Sequence, residues 1–250
     1  MRCVVTTVAS FLAYISLKND VASAFSTSPG VSRRARLAGV SNRDVVRRST
    51  RLRAGGAPAA APRVSLAALG LQEQLRKLCA DKSEPDREIR IEEVAKELNS
   101  LNPTKKPAFS PLLAGRWRML YSTVPGPSSG RLGPFTGDVF QDLRPNDKRI
   151  INILELGPSW ALRGALEADV EVLDGNEWAI VFDKVYQKLA GVKVQEKKFD
   201  PGFERRIWNM TYLDEGFRVM YGRSEDMAVE GAFIFILERD RRQQQQQQQQ

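Results

Sequence analysis

Apolar residues recur with two different periods along this chain, and the change falls at Gly115. Before it, Leu66, Leu69, Leu75 and Leu78 form one stripe with three- and four-residue spacing, and Ile91, Val94, Ala95, Leu98 and Leu101 form another. Such spacing places each set on one face of a helix. Glu84-Pro85-Asp86 separates the two predicted helices, and Pro103 stops the second. After Gly115 the apolar positions alternate with polar ones, which is the period of a half-buried strand. Strands are predicted at 115–123, 137–143, 149–156, 160–173, 177–185, 206–213, 217–222 and 231–238. In the longest, Leu162, Gly164, Leu166, Ala168, Val170 and Val172 face one way, with Arg163, Glu167, Asp169 and Glu171 opposite.

This pattern predicts a mainly β protein, preceded by a short N-terminal helical segment. Antiparallel strands with one apolar face close into an up-and-down β-barrel, which leaves no exposed edge. A two-sheet sandwich is the alternative. Residues 186–205 mix Lys, Glu and Gly with isolated apolar residues, and fit a ninth, irregular strand or a lid. The last eight residues are glutamines, and 241–250 reads as a disordered tail.

Aromatic residues concentrate on single strand faces. Trp117, Met119, Tyr121 and Thr123 share one face, as do Trp208, Met210 and Tyr212, and Trp178, Ile180 and Phe182; Phe233 and Phe235 align on the last strand. An eight-stranded barrel is just wide enough to be filled by such side chains or to hold one small ligand. Both readings stand at this point, and either makes the interior unsuited to a polar substrate. Arg218 falls between Phe217 and Val219. It stacks on an indole such as Trp117, remains solvated, or meets a ligand headgroup. Asp214-Glu215-Gly216 reads as a hairpin turn rather than a catalytic carboxylate pair.

Charge and composition narrow the chemistry. The chain has no histidine, which removes imidazole bases, Ser-His and Cys-His pairs, and His-ligated metals. Cys79 ends a helical stripe and reads as a small buried hydrophobe. The formal charge of +8 is unevenly spread: residues 1–64 hold 11 of 38 basic groups and two of 30 acidic ones, leaving 27 basic against 28 acidic beyond them, net −1. The folded part therefore carries no electrostatic footprint for nucleic acid.

The basic leader divides in two. An uncharged apolar-leaning run from Cys3 to Leu17 precedes Ala22-Ser23-Ala24, a signal-peptide pattern over 1–24. The run is too short to span a membrane, and no other segment offers a span. Residues 25–63 hold nine arginines and one acid, Asp44, which is the composition of a transit peptide. The join at Ala24-Phe25 resembles the bipartite presequences of algae whose plastids derive from an engulfed red alga; simple secretion with a basic linker is the alternative.

From about Leu66 to Arg239, within a domain expected at 64–240, the chain resembles the plastid lipid-associated protein family, the plastid fibrillins. The resemblance is carried by Glu97-Leu98-Asn99-Ser100-Leu101-Asn102-Pro103-Thr104, by Gly115-x-Trp117 through Tyr121-Ser122-Thr123, and by Gly137-x-x-x-Gln141. It continues with Asn152 and the block from Trp208 to Arg218. The family often has a second Arg and a Gly-rich turn after this point, where the chain has Met220-Tyr221-Gly222 and an acidic stretch from Ser224 to Glu230. The resemblance implies a lipocalin-like barrel at 113–240 behind helices at 65–101. It also implies a non-enzymatic role at plastoglobules or thylakoids, binding carotenoids, quinones or acyl lipids without a cofactor. The residues expected at such a ligand are Trp117, Met119, Tyr121, Trp178, Phe182, Trp208, Tyr212 and Arg218. Its partners would be lipophilic small molecules and plastid lipid surfaces, with a solid structural coat as the alternative.

Overall fold

The computed structural model describes residues 63–132, 135–157, 161–200 and 205–240. The expected signal and transit segments, apart from Arg63, and the glutamine tail lie outside the described residues.

Helix α1 (Leu66–Ala80) starts where Ser65 accepts the Ala68 N–H at 3.1 Å, a side-chain N-cap. Helix α2 (Arg87–Ser100) follows the break at 81–86. Arg87 ties the two together by donating to the Leu78 carbonyl at 2.6 Å and to the Cys79 carbonyl at 2.8 Å. This satisfies α1 carbonyls that the helix end would otherwise leave open.

The strands are β1 (Gly115–Ser122), β2 (Arg131–Leu132), β3 (Phe135–Thr136), β4 (Asp138–Arg144), β5 (Arg149–Leu156) and β6 (Leu162–Val172). They continue with β7 (Glu177–Leu189), β8 (Val192–Lys198), β9 (Arg205–Leu213), β10 (Phe217–Ser224) and β11 (Phe233–Arg239). Nine of them form one antiparallel sheet in the order β6-β5-β4-β1-β11-β10-β9-β7-β8, and β6 also pairs with β7. That pairing closes eight strands into a ring, a meander in which each long strand lies beside the next. β8 is the ninth strand: it takes over the edge of β7 at Lys184–Leu189, beyond the part that β9 pairs.

The turns at one end of the ring are short: 145–148, 173–176 and 214–216. The segment 102–114 crosses this end and closes it with Ala108 and Leu113. The longer connections, from β1 to β4, from β7 to β9 and from β10 to β11, leave and re-enter the ring at the other end.

Inside the ring, Trp117, Leu143, Ile150, Ala168, Trp178, Ile180, Trp208, Met210 and Met220 form one core. The helices pack outside it. Leu75, Leu78, Ile91, Val94 and Leu98 meet Tyr212, Phe217, Val219, Ile234 and Ile236 from the outer face of β9, β10 and β11. The expectation of a single apolar face therefore holds for β6, whose outer face carries Glu167 and Asp169, but fails for these three strands.

Two β-bulges produce a second departure. β1 shifts register against β11 between Met119 and Tyr121, and β9 shifts against β10 so that Tyr212 faces Val219 while Met210 faces Met220. Each bulge adds one residue and reverses the alternation after it. Tyr121 and Tyr212 therefore lie on the outside with the helices, whereas Trp117, Met119, Trp208 and Met210 stay inside.

Candidate functional site

The closed half of the ring is solid. Trp117 Nε1 donates to the Leu113 carbonyl at 2.9 Å, and Trp178 Nε1 donates to the Ala108 carbonyl at 3.0 Å. Both indoles thereby bind the segment that closes the end, which explains how a buried Trp N–H is satisfied there. Arg218 is completely buried in the same layer, 4.9 Å from the Trp117 ring, and Arg239 lies 4.0 Å from that ring. Arg218 Nη2 donates to Gln141 Oε1. Burial, followed by the nearby Arg239 charge, lowers the Arg218 pKa to about 9. Of the three arrangements open to Arg218 from the sequence, stacking on Trp117 is the one observed.

Toward the other end the packing opens into a cavity of about 60 Å³. Met119, Val139, Leu166, Phe182, Trp208 and Phe235 supply most of its apolar wall, and Gln141, Asn152, Arg206, Arg223 and Ser224 its polar groups. Two glycines shape this region. At Gly222 a Cβ would come within 2.8 Å of Phe235 and 3.4 Å of Trp208, so the cavity wall is close-fitting there. At Gly137 a Cβ would come within 2.2 Å of the Glu155 carbonyl oxygen, so only glycine lets β4 begin this near β5.

Gln141 and Asn152 are direct cross-strand partners on β4 and β5. Gln141 is 2% exposed, and Asn152 Oδ1 is buried without a hydrogen-bond donor. Arg206 bonds to Ser224 Oγ near the open end. These polar residues were absent from the expected site. Their signal was available, since each occupies an inward position on an otherwise apolar strand face, as in Val139-x-Gln141-x-Leu143 and Ile150-x-Asn152-x-Leu154.

Of the expected residues, Met119, Phe182 and Trp208 line the cavity. Trp117, Trp178 and Arg218 fill the layer beneath it. Tyr121 and Tyr212 are removed to the helix side by the bulges. Tyr121 lies 5.0 Å under the Arg87 guanidinium, and burial raises its phenol pKa.

Tyr212 belongs to a buried clamp. Its hydroxyl donates to Asp214 Oδ2 at 2.8 Å, and Gln72 Nε2 on α1 donates to the same carboxylate oxygen at 2.6 Å and to the Tyr212 hydroxyl at 2.9 Å. Asp214 Oδ1 accepts the Gly216 and Phe217 N–H groups at 2.7 and 2.6 Å. Burial and then the Asp214 hydrogen bond raise the Tyr212 pKa. The Asp-Glu-Gly segment is therefore a turn held to a helix. Among the described residues, no three Asp, Glu or Cys side chains are grouped to hold a metal ion, and no helix is long and apolar enough to cross a membrane.

A ring of antiparallel strands, solid at one end and indented by a mostly apolar cavity at the other, defines a small β-ring protein with a hydrophobic recess. Residues 71–229 match the PAP_fibrillin family model, and the chain belongs to that family. It is similar to "Probable plastid-lipid-associated protein 5, chloroplastic" of Arabidopsis thaliana, 24% identical over 156 residues, covering 62% of this chain and 60% of the relative. It is also similar to "Probable plastid-lipid-associated protein 12, chloroplastic" of the same plant, 33% identical over 101 residues, covering 38% of this chain and 24% of that relative. The chain thus matches under two thirds of the length of either relative. No solved structure matches it.

Proposed function

We propose that this protein is a non-enzymatic, plastid lipid-associated protein that binds or sequesters lipophilic small molecules in a lipocalin-like barrel. The supporting observation is the recess lined by Met119, Leu166, Phe182, Trp208 and Phe235 at the end away from the plug. Pockets that enclose a drug-sized ligand measure about 300–1,000 Å³. A recess of about 60 Å³ is far smaller, so the ligand is gripped by one end while the rest of it lies across the open mouth. Carotenoids, quinones and acyl lipids all have the elongated shape this demands. The relatives' chloroplastic names support action in a plastid. Delivery by the bipartite presequence at 1–24 and 25–63, and residence at plastoglobules or thylakoids, belong to the same proposal.

A second reading is a structural coat with a filled barrel, and the solid layer of Trp117, Trp178 and Arg218 favours it. In the form that uses the helices as its lipid-facing surface, it is opposed by their packing. Leu75, Leu78, Ile91, Val94 and Leu98 are spent on the sheet, leaving Leu66, Leu69 and Ile89 exposed. Mass spectrometry of organic extract from the natively purified protein separates the readings. A lipophile recovered near one per chain supports binding. Lipid-free protein that still floats with lipid vesicles overturns binding in favour of the coat.

A further inference from the structure

The polar floor of the recess specifies what the gripped end of the ligand carries. Resting on the lipophile-binding reading, we propose that the ligand is a lipophile ending in a hydroxyl group, which enters head first and bonds to Gln141 and Asn152.

Arg218 sets the orientation of the floor. A guanidinium only donates hydrogen bonds. By donating to Gln141 Oε1 it fixes which way that amide points, so the Nε2 hydrogens remain for another acceptor. Arg218 is fully buried behind Gln141 and held against Trp117, so the orientation is imposed from beneath the recess. Directly across the strand pair, Asn152 Oδ1 is buried and has no donor. A buried acceptor left without a partner destabilises the ligand-free protein.

The floor of the recess therefore sets one group of donors beside one acceptor, while the remaining polar lining, Arg206, Arg223 and Ser224, lies on β9 and β10. A hydroxyl group is both donor and acceptor, and it satisfies both amides at once. A ketone or ether oxygen accepts from Gln141 and leaves Asn152 Oδ1 unpaired. A hydrocarbon end satisfies neither. A hydroxyl on a narrow alkyl chain is also compatible with a recess of about 60 Å³.

The test uses two isomers, 1-octanol and 1-methoxyheptane, titrated against the full chain and followed by tryptophan fluorescence. They differ in the hydrogen-bond donor and little in apolar bulk. The alcohol is expected to bind about tenfold more tightly, the worth of one well-made buried hydrogen bond. Asn152→Leu, which removes the unpaired acceptor, is expected to bring the two affinities within about twofold and to raise the Tm of the ligand-free protein. Equal binding of the isomers to the unaltered protein overturns the inference and leaves lipophile binding intact. If neither isomer nor n-octane binds, the lipophile-binding reading fails and takes the inference with it. The comparison on the unaltered protein decides the matter should the variant not fold.

Discussion

Replacing Asp214 with alanine removes a carboxylate that organises the β9–β10 turn and its attachment to α1. Four hydrogen bonds of 2.6 to 2.8 Å end on it: two from the Gly216 and Phe217 N–H groups, one from Tyr212 and one from Gln72. Hydrogen bonds to a charged group contribute about 1.5–3 kcal/mol each when measured by substitution. Part of that is recovered. Gln72 and Tyr212 keep the 2.9 Å bond they make with each other, and the half-buried Gly216 N–H finds water. The Phe217 N–H is buried and has no such recourse. The expected loss is about 3–4 kcal/mol, a large part of the roughly 5–15 kcal/mol that stabilises a domain. Urea unfolding followed by tryptophan fluorescence measures it, with the slope m reporting whether the unfolded reference has shifted. A double-mutant cycle with Gln72→Leu isolates the helix–turn bond, with a coupling of about 1 kcal/mol or more expected. A loss below about 1 kcal/mol at unchanged m would refute the clamp and reopen the question of what Asp214 does.

Other expectations follow from the same packing. Tyr121→Phe and Tyr212→Phe leave lipophile affinity unchanged within about twofold, because both rings face the helices; a tenfold loss would return them to the site. The Tyr212 phenol has its pKa raised on folding and the Cys79 thiol is pushed up to about 12 by burial. Their neutral forms therefore stabilise the fold fully below the unfolded values, near 10 and 8.5. That stability is lost as pH rises through the folded values. Stability should be level near pH 8 and fall by pH 11, less steeply in Tyr212→Phe; a flat profile would contradict the burial. In a Cys3→Ser chain, Cys79 should react with a thiol reagent only at the rate of opening, and rapid labelling of the native protein would show the α1–α2 junction to be loose. Arg218→Met combined with Gln141→Leu exchanges the buried cation and the amide that accepts from it for apolar chains of similar reach, an exchange that is often neutral or stabilising. A urea midpoint equivalent to within about 1 kcal/mol is expected; a loss above about 3 kcal/mol would mean that the cation itself holds the core.

The meander, both helices and the turn at Asp214 were legible because each rests on local periodicity or turn chemistry. The bulges were not. Leu120 and Thr211 are ordinary strand residues, and nothing in their spacing announces that the alternation reverses beside them. Only the register against β11 and β10 reveals it, and that register depends on contacts more than 100 residues away for β1. The reversal accounts for both misplaced tyrosines. The two-sided burial of the last strands did have a local sign. Phe233 to Leu237 is an unbroken apolar run, as a strand covered on both faces requires. Filling of the closed half depends on how the Trp117 and Trp178 indoles and the Arg218 side chain divide the same space, which a one-dimensional pattern does not encode.

The most direct test of the account is to plug the recess. Leu166→Phe adds bulk where Leu166 faces Asn152 and the cavity, without touching the clamp or the helices. Lipid retained by the purified protein is then quantified by mass spectrometry beside the unaltered chain. The account predicts that the unaltered protein keeps its lipophile and the plugged, folded variant loses most of it; equal retention by both would contradict it.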